Sequence, residues 1–155
     1  MMSVGLWTSV VLVLAAIAVP DTVSEPLSFH DCGCQKGKLL TVDVSPCPSQ
    51  PCPLVRGQTY TINVTFTSGE VTPKCTAVVY GVVAGVPIPF PLPESDGCKS
   101  GLSCPLQEGT TYTYLSKMPI KPEYPKLKLA VKWELEDADS QNLFCWAIPV
   151  QIVDG

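Results

Sequence analysis

Histidine is almost absent: His30 is the only one in 155 residues. A serine or cysteine nucleophile needs a neighbouring base, so hydrolytic triads have a single candidate, in "SFHDC" beside a cysteine. It reads as a solvent-facing or satisfied histidine, and the chain as no enzyme. Charge is also scarce. Asp, Glu, Lys and Arg make up 15% of residues, with a formal net charge of −4 and a pI near 4.8. That balance excludes nucleic acid as a partner. No glycine loop of phosphate- or dinucleotide-binding spacing occurs, so no cofactor is expected. Beyond residue 24 no run is long and apolar enough to cross a bilayer. No segment carries a convincing helical period. The acidic cluster Glu134, Glu136, Asp137 and Asp139 falls at a strand end and turn, where a solvated face is the expectation.

What is present begins with a leader. "VVLVLAAIAV", Val10–Val19, has the length of a signal-peptide apolar region. Cleavage is expected after residue 18 or residue 24, leaving one domain over 25–155. All eight cysteines follow the leader. An even number in a secreted chain points to disulfides. "CPSQPC" and "CKSGLSC" each hold a pair close enough to staple a small turn. Cys32 and Cys145 stand near the two ends, and a bond between them would close most of the domain. No pair has C-x2-C spacing, so a metal site is not expected.

The body reads as short strands between Pro, Gly and Ser turns. Tyr60–Phe66 alternates apolar and polar residues, as a half-buried strand does. Leu127, Leu129, Val131, Trp133 and Leu135 share one face, and Phe144, Trp146, Ile148, Val150 and Ile152 another. Further strands are expected at Leu27–Asp31, Leu39–Val44, Thr76–Ala84 and Thr111–Met118. About seven strands suggest an all-β, immunoglobulin-like two-sheet antiparallel sandwich. Pro149 implies an edge or bulge in the last strand. Asn63-Val64-Thr65 is a glycosylation sequon on a polar face.

"VPIPFPLP", Val86–Pro93, alternates apolar residues with prolines. Proline donates nothing to a ladder, so the segment reads as a stiff apolar rim, poor at pairing. "YLSKMPIKPEYP", Tyr114–Pro125, is a second such strip. Two stiff apolar lips could border a pocket, or both could be well-covered turns; alternation alone leaves this open.

The blocks "DCG", "VSPCPSQPC", "NVTFTS", "GVPIPFPLPESDGCKSGLSCP", "TYTYLSKMPIKPEYP" and "LFCWAIPVQIVD" resemble the soluble lysosomal sterol-transfer proteins of the Niemann-Pick type C kind, a branch of the ML lipid-recognition family. The similarity covers nearly all of the mature chain. It implies an apolar ligand pocket between loosely packed sheets, taking one sterol tail-first. The gate residues matched are Phe90, Ile120 and Tyr124. The lining matched is Tyr60, Ile88, Met118, Pro119, Leu129, Val131, Trp133 and Trp146. The implied disulfides are Cys32–Cys145, Cys47–Cys52 and Cys98–Cys104. Cys34 and Cys75 lie outside that pattern and suggest a fourth bond. Ala84, Gly85 and Val86 match a receptor-contact patch, with Ala84 smaller than usual, and Lys99 matches a lysine tied to membrane transfer. The partners implied are cholesterol or a related sterol, the large Niemann-Pick type C membrane protein as acceptor, and anionic lysosomal membranes. From the charge balance, with a pI near 4.8, Lys99, Lys117, Lys121, Lys126 and Lys128 are expected to meet anionic lipid in acid. The expected setting is secretory and lysosomal, the expected state a monomer. Rival readings are an ML protein presenting glycolipid or acyl lipid, and an adhesion module with a dry core.

Overall fold

Every strongly alternating segment forms a strand. The computed structural model describes residues 27–155; the expected leader and its cleavage site lie outside the described residues. The strands are β1 (His30–Asp31), β2 (Gly37–Ser45), β3 (Cys52–Val55), β4 (Thr59–Ser68), β5 (Thr76–Val83), β6 (Val86–Pro89), β7 (Thr111–Pro119), β8 (Lys128–Glu136) and β9 (Asn142–Val153). A one-turn 3-10 helix, Gly97–Lys99, is the only helix among the described residues. One sheet runs β1-β9-β8-β5-β6, with β3 pairing parallel to β9. The other is β2-β4-β7, antiparallel throughout. The two apolar faces meet in a sandwich.

Three sequence expectations change. The Leu27–Asp31 strand shortens to His30–Asp31. Pro149 is not on an edge strand. β9 has β8 on one side, and β1 and β3 share the other, with β1 pairing as far as Ala147 and β3 from Val150. Pro149 falls in the gap between them, where no ladder needs its missing N–H. The third change concerns the proline segment, which does pair: β6 lies antiparallel on β5, with Gly81 opposite Ile88 and Val83 opposite Val86. Prolines occupy alternate positions, so only the even-numbered residues carry N–H groups. Phe90 N–H donates to the Val79 carbonyl at 2.9 Å, continuing that side of the ladder. Pro87 and Pro89 then fall on the alternate side, where an edge strand benefits from having no donor.

The interior is dense. Trp133 and Trp146 stack with centroids 5.6 Å apart. Tyr114 meets Trp133 edge-on, and the Trp133 Nε1–H donates to its hydroxyl at 3.3 Å. Phe144 packs against both Tyr114 and Phe66.

The disulfides Cys32–Cys145, Cys47–Cys52 and Cys98–Cys104 are all formed. The fourth is not: Cys34 and Cys75 are free thiols. Cys34 follows β1 and Cys75 precedes β5, with β9 and β8 between those strands. Three strand spacings are roughly 14 Å, about twice the Cα separation a disulfide spans. Cys75 is instead buried against Gly97, where an added Cβ would lie 2.5 Å from its Sγ. Burial, then the charge of Asp96, pushes its thiol up to about 12. Alkylation at neutral pH should therefore label Cys34 in the native protein and Cys75 only after denaturation. Rapid native labelling of Cys75 would contradict this packing.

Candidate functional site

The pocket forms where the strongest alternation ends. On β5 the inward positions Gly81 and Val83 follow the buried Ala77 and Val79. Gly81 has no side chain, and a Cβ there would stand 2.9 Å from Leu129 Cδ1. The omission leaves a hollow, which Leu129 of β8 and Ile152 of β9 complete from the same sheet. β6 and the residues after it supply one lip, Ile88 to Pro91. The β7–β8 connection supplies the other, Tyr124, Pro125 and Leu127. The resulting cavity of about 220 Å³ has walls that are almost wholly apolar.

Two aromatic rings face each other across the mouth. Phe90 and Tyr124 have centroids 5.4 Å apart and are inclined by 54°. Phe90 is held by its backbone bond to β5. Tyr124 is held from below: its N–H donates to the Lys121 carbonyl, and its carbonyl accepts from Arg56 Nη1 at 3.1 Å. Arg56 in turn pairs with Asp154, while Gly57 N–H donates to the Ile120 carbonyl and Ile120 N–H to the Gln58 carbonyl. The Tyr124 hydroxyl is buried and finds no hydrogen-bond partner among the described residues. Burial, then the neighbouring Glu123, pushes its pKa up.

Of the residues singled out in the sequence, Phe90, Tyr124, Ile88 and Leu129 come together on this cavity. Tyr60, Met118, Ile120, Val131, Trp133 and Trp146 do not line it; all are buried in the packed core. Tyr60 has a structural task, its hydroxyl accepting the Val55 N–H at 2.7 Å. Pro119 ends β7 opposite Thr59. In this structure the stacked indoles occupy the space between the sheets at that level. Sequence reasoning missed Gly81, Val83, Leu127 and Ile152 as lining residues. The signal was there in Gly81, which interrupts the large inward residues of β5.

Ala84 and Gly85 make the β5–β6 turn, with φ of 51° and 83°. Two consecutive positive φ values mark the hairpin turn that matches strand twist. The turn projects Val86 into solvent beside the lip. Lys99 ends the 3-10 helix near Thr76, the opposite end of β5. Seven residues of strand, roughly 23 Å, separate it from the hairpin, so the two expected contact points do not form one patch. Lys126 lies 3.0 Å from Asp154. The Asp154 carboxyl is held low by Arg56 and Lys126, so mild acid does not release this lysine. Lys117 of β7 donates to Thr61 Oγ1 on the neighbouring β4, within the three-stranded sheet. Asn63 is exposed there, on the outward side of β4.

A two-sheet sandwich with an apolar cavity at one end, bordered by two aromatic rings, offers a binding site for an apolar small molecule. The chain belongs to the ML domain family, whose model matches residues 26–152. It is 53% identical to the mouse protein named NPC intracellular cholesterol transporter 2, over 142 residues that cover 92% of this chain and 94% of that one. The zebrafish protein of the same name is 52% identical, covering 86% and 89%. A crystal structure of a Niemann-Pick type C2 protein from the Japanese carpenter ant superposes with a TM-score of 0.77 at 28% identity, covering 82% of this chain and all of that one.

Proposed function

We propose that this protein binds cholesterol and related sterols and carries them from the lumen of the late endosome or lysosome to a membrane acceptor. The observation that supports this most directly is the apolar cavity closed by Phe90 and Tyr124. A sterol offers about 500 Å² of apolar surface; burying most of it is worth on the order of 10 kcal/mol, before association costs of at least about 4 kcal/mol. Binding then needs no charged anchor. At about 220 Å³ the cavity is smaller than the roughly 300–1,000 Å³ of occupied small-molecule pockets. Entry must therefore part the two rings and displace the lips, with the slender tail leading. Both lips lie outside the dense aromatic core, so opening them leaves Trp133 and Trp146 stacked.

The leader at residues 1–24 would send the chain into the secretory route, and a glycan on Asn63 would sit on the outward side of β4. The hairpin Ala84–Val86, beside the mouth, is the natural contact for the large Niemann-Pick type C membrane protein. Lys121 and Lys128, near the mouth, are the residues best placed for anionic membrane.

Phe90→Ala should weaken sterol binding by roughly 1–3 kcal/mol, about ten- to a hundredfold, while leaving the melting temperature nearly unchanged. Gly81→Leu should weaken binding similarly by filling the hollow, with a modest loss of stability because the Leu129 side chain must shift. Competition against a fluorescent sterol, with thermal melts of the same samples, checks both. If both variants keep full affinity, the ligand sits elsewhere. If affinity falls only in step with stability, these residues are core and the gate is wrong.

A further inference from the structure

The sequence pattern places Asp137 on a solvated face, yet it is 6% exposed. Its Oδ1 accepts the N–H groups of Asp139 and Gln141 at 2.8 and 2.9 Å, closing the turn between β8 and β9. Its Oδ2 is buried and receives no hydrogen bond from any N–H, amine or hydroxyl of the described residues, and the same is true of Glu70 Oε2. The two carboxyl groups meet each other. Glu70 arrives from the other sheet, just beyond the end of β4. Nearby, Thr72 Oγ1 accepts the Ala138 N–H at 3.2 Å, and the Gly69 N–H donates to the Lys36 carbonyl. Two buried carboxylate oxygens in contact with no proton between them would repel in a poorly screened place.

We propose that Glu70 and Asp137 are a proton-sharing carboxyl pair that fastens the two sheets together in acid and slackens as the medium becomes neutral. The proton resides on Glu70, which donates to Asp137. Asp137 remains the acceptor because its other oxygen already holds two backbone N–H groups. The surrounding charges agree. Lys36, ahead of β2, faces both carboxyls and favours the single remaining negative charge. Asp139 in the turn, with Glu136 on β8 next to Asp137, adds negative charge that favours proton uptake. Glu134 adds to this through Glu136. A divalent cation is a poor substitute, since the free carboxylate oxygens of these two groups fall far short of the roughly six to eight ligands that calcium takes.

Burial, then the hydrogen bond and charge of Asp137, pushes the Glu70 carboxyl up to about 7. Asp137 is also raised by burial, but the Glu70 proton and the two backbone donors outweigh this and hold it low. The signs follow. Glu70, raised in the folded state, contributes stability that is complete below its unfolded value of about 4.3 and is lost as pH climbs through about 7. Asp137, lowered, contributes stability that disappears only in stronger acid. Their joint optimum is mildly acidic. The pair lies at the end of β8 away from the pocket, so it acts on the cohesion of the sandwich and leaves the gate untouched.

The test is thermal melting of the full mature chain at about pH 5 and about pH 7.5, with Glu70→Gln alongside. The wild-type melting temperature should gain at least about 4 °C more on acidification than the variant's. The introduced amide keeps a donor at every pH, so that variant should hold its acid-form stability at pH 7.5. Carbon-13 NMR of the Glu70 carboxyl should show a midpoint near 7 in the native protein. A midpoint near the ordinary value of about 4 overturns the proposal. So does a variant with the full wild-type acid gain, or calcium at pH 7.5 stabilising the wild type as much as acid does.

Discussion

Replacing both Cys32 and Cys145 by alanine should lower the free energy of unfolding by roughly 4–5 kcal/mol. Their bond joins residues 113 apart. It fastens β1, a two-residue strand, to β9, which is central to its sheet. In the chain-entropy account a loop of this length gains the most from closure, while the short loops at Cys47–Cys52 and Cys98–Cys104 are worth roughly 2 kcal/mol each. Domains of this kind have only about 5–15 kcal/mol in total, so the double variant should be marginal at body temperature. Both cysteines must be removed together. Cys34, two residues from Cys32, could otherwise take over Cys145. Urea denaturation checks the ranking: the midpoint should fall furthest for Cys32–Cys145. A loss no greater than that from opening Cys47–Cys52 would contradict it.

Trp133→Ala should cost about 3–5 kcal/mol, the range for deleting a fully buried large side chain. Trp133 is 0% exposed, stacks on Trp146 and donates to the Tyr114 hydroxyl. Truncation removes one indole together with its hydrogen bond to the Tyr114 hydroxyl, and leaves a hole between the sheets. Phe90→Ala, on a half-buried lip, should spare the fold by comparison. That contrast separates core from gate among residues that look equally apolar in the sequence. Calorimetry of the two variants reads it directly. If Trp133→Ala melts like wild type, the space between the sheets is slack, and the pocket extends into it.

The alternating runs of β4, β8 and β9 are legible because burial on one face writes itself into every second residue. The three disulfides are legible through the similarity of whole blocks; spacing by itself leaves Cys32 and Cys145 open. The wrong readings share a cause, since each weighs a residue without its distant neighbours. Proline in β6 is discounted for what it cannot donate, yet an edge strand needs donors only on one side. Cys34 and Cys75 pair on paper because both stand outside the family pattern, and only the strand order reveals how much sheet lies between them. Asp137 looks like surface because its partner, Glu70, lies 67 positions away in the chain. The matched deeper residues pack into the core in this structure; alternation says which face is buried and nothing about what fills the space opposite.

The most direct measurement is native mass spectrometry of the purified, deglycosylated protein after incubation with a mixture of cholesterol and diacyl phospholipid. The account predicts one added mass per chain, equal to a single sterol, reduced in Phe90→Ala and in Gly81→Leu at equal protein concentration. A protein that takes up the diacyl lipid alone, or that remains empty at sterol concentrations that saturate a fluorescent analogue, would contradict it.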